Sequence, residues 1–281
     1  MPHVAFMRWA TTYGSVVGVQ LGAERVVVLN DSDAVRDALV KQADVFDGRP
    51  QLYVFEKLNA GRGLFSREGK QWQEQRKFNI RCLRNLGMGK HNIEERTRIE
   101  ARALVDIIRN QDGAAFDPHC HLTVAIANVI CTMVFGERFE HGDAEFKYMF
   151  QLFEDSLRLA EFAGAVNFLP FLRHFPNLTK VDKLLENRRK EVEFINKRID
   201  EHRATLDVDS PRDFIDAFLI EIERAKQQGT IDTTFTVEEL RIAIMILFMA
   251  STETTQTTLR WGILHLMAKP DVQVRTVITP N

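Results

Sequence analysis

The chain has 281 residues, 45% of them hydrophobic and 27% charged, with a formal net charge of -2. That is an ordinary globular composition with enough apolar material for a sizeable core, and it excludes the concentrated basic surface of a nucleic-acid binder. The sparse, odd set of cysteines, Cys82, Cys120 and Cys131, excludes a disulfide framework and fits reduced thiols in a cytosol-facing protein.

Taken in chain order, the start Met1-Pro2-His3-Val4-Ala5-Phe6 lacks the basic stretch and long apolar run of a secretory signal. Val16–Leu21 and Arg25–Leu29 are β-branched runs separated by Gly22-Ala23-Glu24, which predicts a hairpin. Asn30, Asp31 and Ser32 then offer N-caps to a helix through Lys41. Beyond this point helical periodicity dominates. It predicts helices over Gly69–Asn85, His91–Arg109, Pro118–Phe135, Ala144–Ala163, Thr179–Thr205, Pro211–Gln227 and Thr236–Lys269. Between the fourth and fifth, Phe168–Leu172 and Phe175–Asn177 read as a loop with buried anchors. The last helix opens on a capping box, Thr236-x-x-Glu239, and stops before Pro270. At roughly 50 Å it is too long for a peripheral element, and its all-round apolar content predicts one continuous, mostly buried helix. Its longest apolar block, Ile242–Ala250, is nine residues, about half of a bilayer crossing. No internal repeat or linker breaks the pattern, so the expectation is one mainly α domain over residues 1–281.

Several motifs dissolve on inspection. Gly63 and Gly69-Lys70 bracket five residues where a phosphate loop needs four, and Gln71 stands where it needs Ser or Thr. His119-Cys120-His121 has ligand-type side chains, but successive residues diverge around a helix, which favours packing at a helix start over a metal site. Trp72 and Arg76 lie four apart and share a helix face, as any packing pair does. Lys77, Arg81 and Arg84 form a basic stripe beside them, either a solvated face or a surface for an acidic partner.

The polar knot Ala250-Ser251-Thr252-Glu253-Thr254-Thr255 is the sharper signal, because it interrupts an apolar helix. A lone Ser or Thr there often just bonds the carbonyl one turn back. A carboxylate set among several hydroxyls is also what a proton relay requires. Both readings stand on the chemistry alone.

Trp72-Gln73-Glu74-Gln75-Arg76 matches a W-x-x-x-R pattern, and Ala250–Thr255 matches A/G-G-x-D/E-T-T/S with Ser251 in place of glycine. Together with Lys41–Pro50, Asn128–Gly136 and Pro211–Leu219, in this order, they make the chain resemble the microsomal cytochrome P450 monooxygenases of the animal drug- and steroid-metabolising clan, from about Pro2 to about Gln273. The resemblance implies the amino-terminal part of that fold: a small β-hairpin, then long helices, with the central distal helix near the C-terminus. It implies a haem cofactor, with Trp72 and Arg76 bonding a propionate, Ala250 and Ser251 against the distal face, and Glu253 and Thr254 supplying protons. The Gln51–Phe65 loop and Phe248 would line a pocket for a lipophilic small molecule. The basic stripe would dock an NADPH-dependent reductase, and the full-length protein would sit on the cytosolic face of the endoplasmic reticulum membrane. The chain reaches Asn281 without the family's E-x-x-R helix or its F-x-x-G-x-R-x-C-x-G loop. The expectation is therefore a partial catalytic domain with no metal ligand of its own, inactive for lack of the axial cysteine. The rival is a non-catalytic helical interaction protein built on the same scaffold.

Overall fold

In a computed structural model, residues 2–230 and 233–278 are described, and the tail expected to depart from the family pattern lies partly outside them, at 279–281. The chain forms two compact units. One takes the chain up to Glu74 with Leu152–Lys190, and the other takes Gln75–Gln151 with the chain from Glu191 onward.

The first unit opens with α1 (Pro2–Tyr13), which buries none of its residues, and continues into the antiparallel pair β1 (Val16–Leu21) and β2 (Glu24–Leu29). The register pairs Leu21 with Glu24, so the turn is only Gly22-Ala23, one residue shorter than expected. Gly22 has φ +59, and a Cβ there would stand 2.0 Å from the carbonyl oxygen of Phe168. The same carbonyl accepts the Ala23 N–H at 2.8 Å. Backbone conformation and space both demand glycine at this tip.

Asp31 caps α2 (Ser32–Arg36), accepting the Ala34 N–H at 2.7 Å, and that bond lowers its carboxyl below the usual range. The helix expected through Lys41 then changes pitch and finishes as a π-turn over Asp37–Lys41. The Gln51–Phe65 segment, expected as a loop, contains α3 (Tyr53–Asn59). The Asn167 side chain accepts the Val54 N–H at 3.0 Å and stabilises that start. Residues 165–179 are α8 (Ala165–Phe168), a 3-10 turn over Pro170–His174, and α9 (Pro176–Thr179). Here Phe171 and Phe175 are exposed, and the buried anchors are Val166, Asn167 and Thr179. The unit's core gathers Val54, Leu159, Ala163, Val166, Val181 and Leu184.

Three of the predicted helices, α4 (Gly69–Asn85), α5 (His91–Arg109) and α7 (Ala144–Ala163), have the expected ends. α10 begins at Val181, because Lys180 takes a left-handed φ of +55 that stops continuation from α9. In the second unit α6 (His119–Val134) packs against α5 and along α12 (Val237–Ala268), with α11 (Phe214–Gln227) against both. Thr236 caps α12 as the sequence predicts, accepting the Glu239 N–H at 3.2 Å. A further helix, α13 (Pro270–Ile278), starts at the proline itself, a residue suited to a first helical turn.

α12 is continuous over its 32 residues, but only its first half is buried. Leu240, Ile242–Ile246 and Phe248 are in the core, whereas Leu259, Trp261, Leu264 and Met267 are exposed. α6 has 16 residues and pairs with only part of this 32-residue helix, its first residue His119 lying beside Gln256. The phenylalanine bias is spent on packing. Phe139 stacks on Phe146 at 4.3 Å, and Phe248 stacks on Phe135 at 5.2 Å and meets Phe150 edge-on at 6.0 Å.

Asn128, fully buried in α6, clamps the segment that follows that helix. It accepts the Phe139 N–H at 2.9 Å and donates to the Phe139 carbonyl at 2.8 Å and to Glu100 at 3.3 Å. Glu100 in turn holds Arg138 at 2.5 Å and His141 at 3.2 Å. Asn128→Ala would leave a buried N–H and C=O unpaired, and the expected loss in urea denaturation is roughly 3 kcal/mol.

Candidate functional site

The polar knot occupies the turn of α12 where burial gives way to exposure. Ala250, Thr254, Thr255 and Thr258 are exposed, Thr252 and Gln256 are buried, and Ser251, Glu253 and Thr257 are intermediate. The helix thus presents a strip of small and hydroxyl residues at positions 250, 254 and 258, one turn apart. The hydroxyls of this strip are turned back onto the helix. Thr254 donates to the Ala250 carbonyl at 2.7 Å and Thr258 to the Thr254 carbonyl at 2.8 Å, while Ser251 donates to the Leu247 carbonyl. This is the back-bonding that a threonine in a helix ordinarily makes, and it leaves the Thr254 oxygen lone pairs available as acceptors.

Glu253 faces away from that strip. Its two oxygens accept from Gln256 Nε2 at 3.2 Å and from the Thr257 hydroxyl at 3.3 Å. Gln256 Oε1 then meets His119 Nδ1 at 3.2 Å. Thus His119, from the His-Cys-His triplet, is part of the surroundings of Glu253. Neither Gln256 nor His119 is expected from the sequence motifs as a partner of Glu253. Gln256 lies three residues from Glu253 on one helix, a local spacing that could have flagged it, whereas His119, 137 positions from Gln256, gives no local signal.

On α4, Trp72 is half-buried and its indole N–H donates to the Leu64 carbonyl at 3.2 Å, while Arg76 is exposed. Of the basic stripe, Lys77, Arg81 and Arg84 are all exposed, but Arg81 pairs with Glu221 at 3.3 Å, so the stripe is not uncompensated. Phe248 is sealed within the aromatic cluster rather than lining an open pocket. An open groove of about 390 Å3 lies further along α12, lined by Asp117, Pro118, Arg260, Trp261, Leu264 and Met267.

A haem of the thiolate class needs a cysteine held as thiolate. Burial pushes the Cys82 thiol up to about 12 and the Cys131 thiol well above its ordinary value, with Asp213 and Glu137 respectively adding to the rise. Both are the reverse of what an axial ligand requires. Cys120 is exposed on the first turn of α6. The buried cysteines therefore do not fit the axial role, while the exposed small-residue strip of α12 does suit the face of a flat group.

Among the described residues one cluster has metal-type side chains: His202, Asp213 and Asp216. Its members are accounted for by one another. Asp213 caps α11 by accepting the Asp216 N–H at 3.0 Å, and Asp216 receives Arg212 at 2.6 and 3.0 Å. His202 Nε2 meets Asp213 at 2.7 Å and its Nδ1 meets the Arg198 carbonyl at 2.7 Å. Two acceptors at the two ring nitrogens call for the doubly protonated ring. Burial works to lower the His202 pKa, but the Asp213 hydrogen bond and charge and the Arg198 carbonyl outweigh it and hold it above the ordinary value. Such a shift stabilises the fold fully below about pH 6.5 and fades as pH rises through the elevated pKa. The stability difference between the wild-type chain and His202→Gln, read from urea midpoints, should therefore be larger at about pH 6 than at about pH 9.

The cytochrome P450 family model matches residues 1–276, and the chain belongs to that family. Among known relatives, cytochrome P450 2C20 of Macaca fascicularis is 39% identical over 274 residues, covering 96% of this chain and 55% of its own. Cytochrome P450 2B4 of Oryctolagus cuniculus is 38% identical over 274 residues, again 96% and 55%. Cytochrome P450 2C8 of Homo sapiens is 36% identical with the same coverage. The chain spans about half the length of these relatives. The mainly helical architecture, with its hairpin and long distal helix, accords with the family expectation. Among the described residues no helix is long and apolar enough to cross a membrane.

Proposed function

We propose that the chain is part of the catalytic domain of a haem-dependent monooxygenase, a single partial domain over residues 1–281. The full-length protein inserts one oxygen atom from O2 into a lipophilic small molecule, drawing electrons from NADPH through a reductase. The observation that carries this reading is the Ala250–Thr255 segment, a carboxylate and hydroxyls set at the border of burial on a long apolar helix, in a chain of this family. Haem, when bound, supplies the oxygen activation. In this reading Trp72 and Arg76 bind a propionate, Ala250 and Ser251 lie against the ring, and Thr254 and Glu253 hold and pass protons. Thr254 would offer its hydroxyl oxygen as an acceptor while its own O–H stays bonded to the Ala250 carbonyl, and Glu253 would pass protons toward that oxygen through water. The full-length protein would work at the cytosolic face of the endoplasmic reticulum membrane.

In the full-length protein Thr254→Ala should lower product formed per NADPH several-fold while NADPH consumption continues, and Glu253→Gln should slow turnover about 10²-fold with substrate affinity little changed. Full coupling in Thr254→Ala would return that residue to the role of a core threonine bonding its own helix. The 281-residue chain by itself should bind haem weakly and show no red-shifted thiolate-type Soret band in the reduced carbon-monoxide spectrum. A stoichiometric complex with that band would mean that one of the three cysteines ligates iron. A second reading, a helical interaction protein on this scaffold, draws on the exposed Leu259, Trp261, Leu264 and Met267. It would gain if the full-length transcript carried no haem-ligand loop.

A further inference from the structure

The Glu253 carboxylate is held by a side chain whose own orientation is set by a histidine. Gln256 is 1% exposed, so its amide must find partners within the protein. Its Nε2 faces two acceptors, Glu253 Oε2 at 3.2 Å and Thr257 Oγ1 at 3.3 Å. Its Oε1 faces His119 Nδ1 at 3.2 Å. An amide has one donor end and one acceptor end, so this orientation imposes two conditions at once. Glu253 must present a lone pair to accept, as both of its oxygens do when ionised, and His119 must carry its proton on Nδ1 to donate.

Rotating the amide by a half-turn reverses both conditions. Oε1 would then face Glu253, which must hold a proton to donate, and Nε2 would face His119, whose Nδ1 must be bare. The charged groups around the ring do not favour the first state by themselves. Arg260 Nη1 stands 3.3 Å from His119 Nδ1, a donor that prefers a bare nitrogen there, and Asp117 lies 3.9 Å from Arg260 and accepts the His119 backbone N–H at 2.9 Å. The ionised Glu253, acting through the amide, is what selects the Nδ1–H form.

We propose that Gln256 is a positioning residue for Glu253, and that its buried amide ties the ionisation of Glu253 to the tautomer of His119. The proposal rests on the relay reading for its functional meaning: the acid beside Thr254 would be held in place by Gln256, with the His119 tautomer reporting its state. In passing between the two states Glu253 takes one proton from water, while the neutral His119 ring gives its Nδ1 proton to water and takes one from water at Nε2. Gln256 keeps its two amide hydrogens throughout.

The test needs no haem. In the 15N-labelled 281-residue chain the His119 ring signals, assigned by their loss in His119→Gln, should show the Nδ1–H tautomer at neutral pH, the minority form for a free histidine. Glu253→Leu removes the acceptor and Gln256→Met removes the amide at nearly constant volume. Each should convert His119 to the Nε2–H form, with the other histidine signals unmoved as evidence that the fold is kept. A wild-type His119 in the Nε2–H form, or a Nδ1–H form indifferent to both substitutions, overturns the proposal. Either result is separate from the relay itself, which stands or falls on the coupling of Thr254→Ala in the full-length protein.

Discussion

The second unit depends on a buried carboxylate, Asp213. It is 1% exposed, yet both of its oxygens are used: one closes the amino end of α11 and the other receives the His202 ring at the end of α10. A Cβ on Gly136 would come within 2.8 Å of it, so the turn that ends α6 can pass only because residue 136 has no side chain. Gly136 also has φ +69, the left-handed position after a helix end where glycine is favoured. One acid therefore fixes where three helices start or stop, and its charge is tolerable only because it is fully hydrogen-bonded and matched by an imidazolium. Two of the segments that mark the family, Asn128–Gly136 and Pro211–Leu219, meet at this point.

The same economy governs α12. Its first half is held by apolar burial, its start by the Thr236 cap and by Gln75, which is 2% exposed and donates to both the Thr234 carbonyl at 3.0 Å and the Thr234 hydroxyl at 2.8 Å. Phe78, Phe218 and Phe235 meet edge-on, and Phe214 packs tilted against Phe78 at 6.3 Å. The polar knot sits at the far edge of this rigid half, which gives it a fixed backbone on one side and an open face on the other. A site that must approach a cofactor benefits from that combination.

What the sequence reveals of this molecule follows from what each element depends on. α4, α5 and α7 are long, periodic and bounded by turn residues, so local pattern suffices. α3 and α8 are legible only with the tertiary bond from Asn167 to Val54 in hand, because four to seven residues carry too little periodicity. Exposure along the second half of α12 is equally hidden, since apolar content announces a need for cover and not its supply. At the candidate site the sequence reveals Glu253 and Thr254 as an anomaly in an apolar helix. Adjacency on a helix already sets their side chains apart, but it does not reveal that Glu253 meets Gln256 while Thr254 bonds the Ala250 carbonyl.

The burial of two of the three thiols also gives the chain an internal clock. Cys82 and Cys131 lie in α4 and α6, 5% and 0% exposed, and burial raises both thiols far from the ionised form that alkylating reagents attack. They can react only when the second unit opens, whereas Cys120 is exposed in the folded chain. The first unit has no cysteine at all. Thiol labelling thus reads the openings of one unit against a silent background from the other, with Cys120 as the built-in reference.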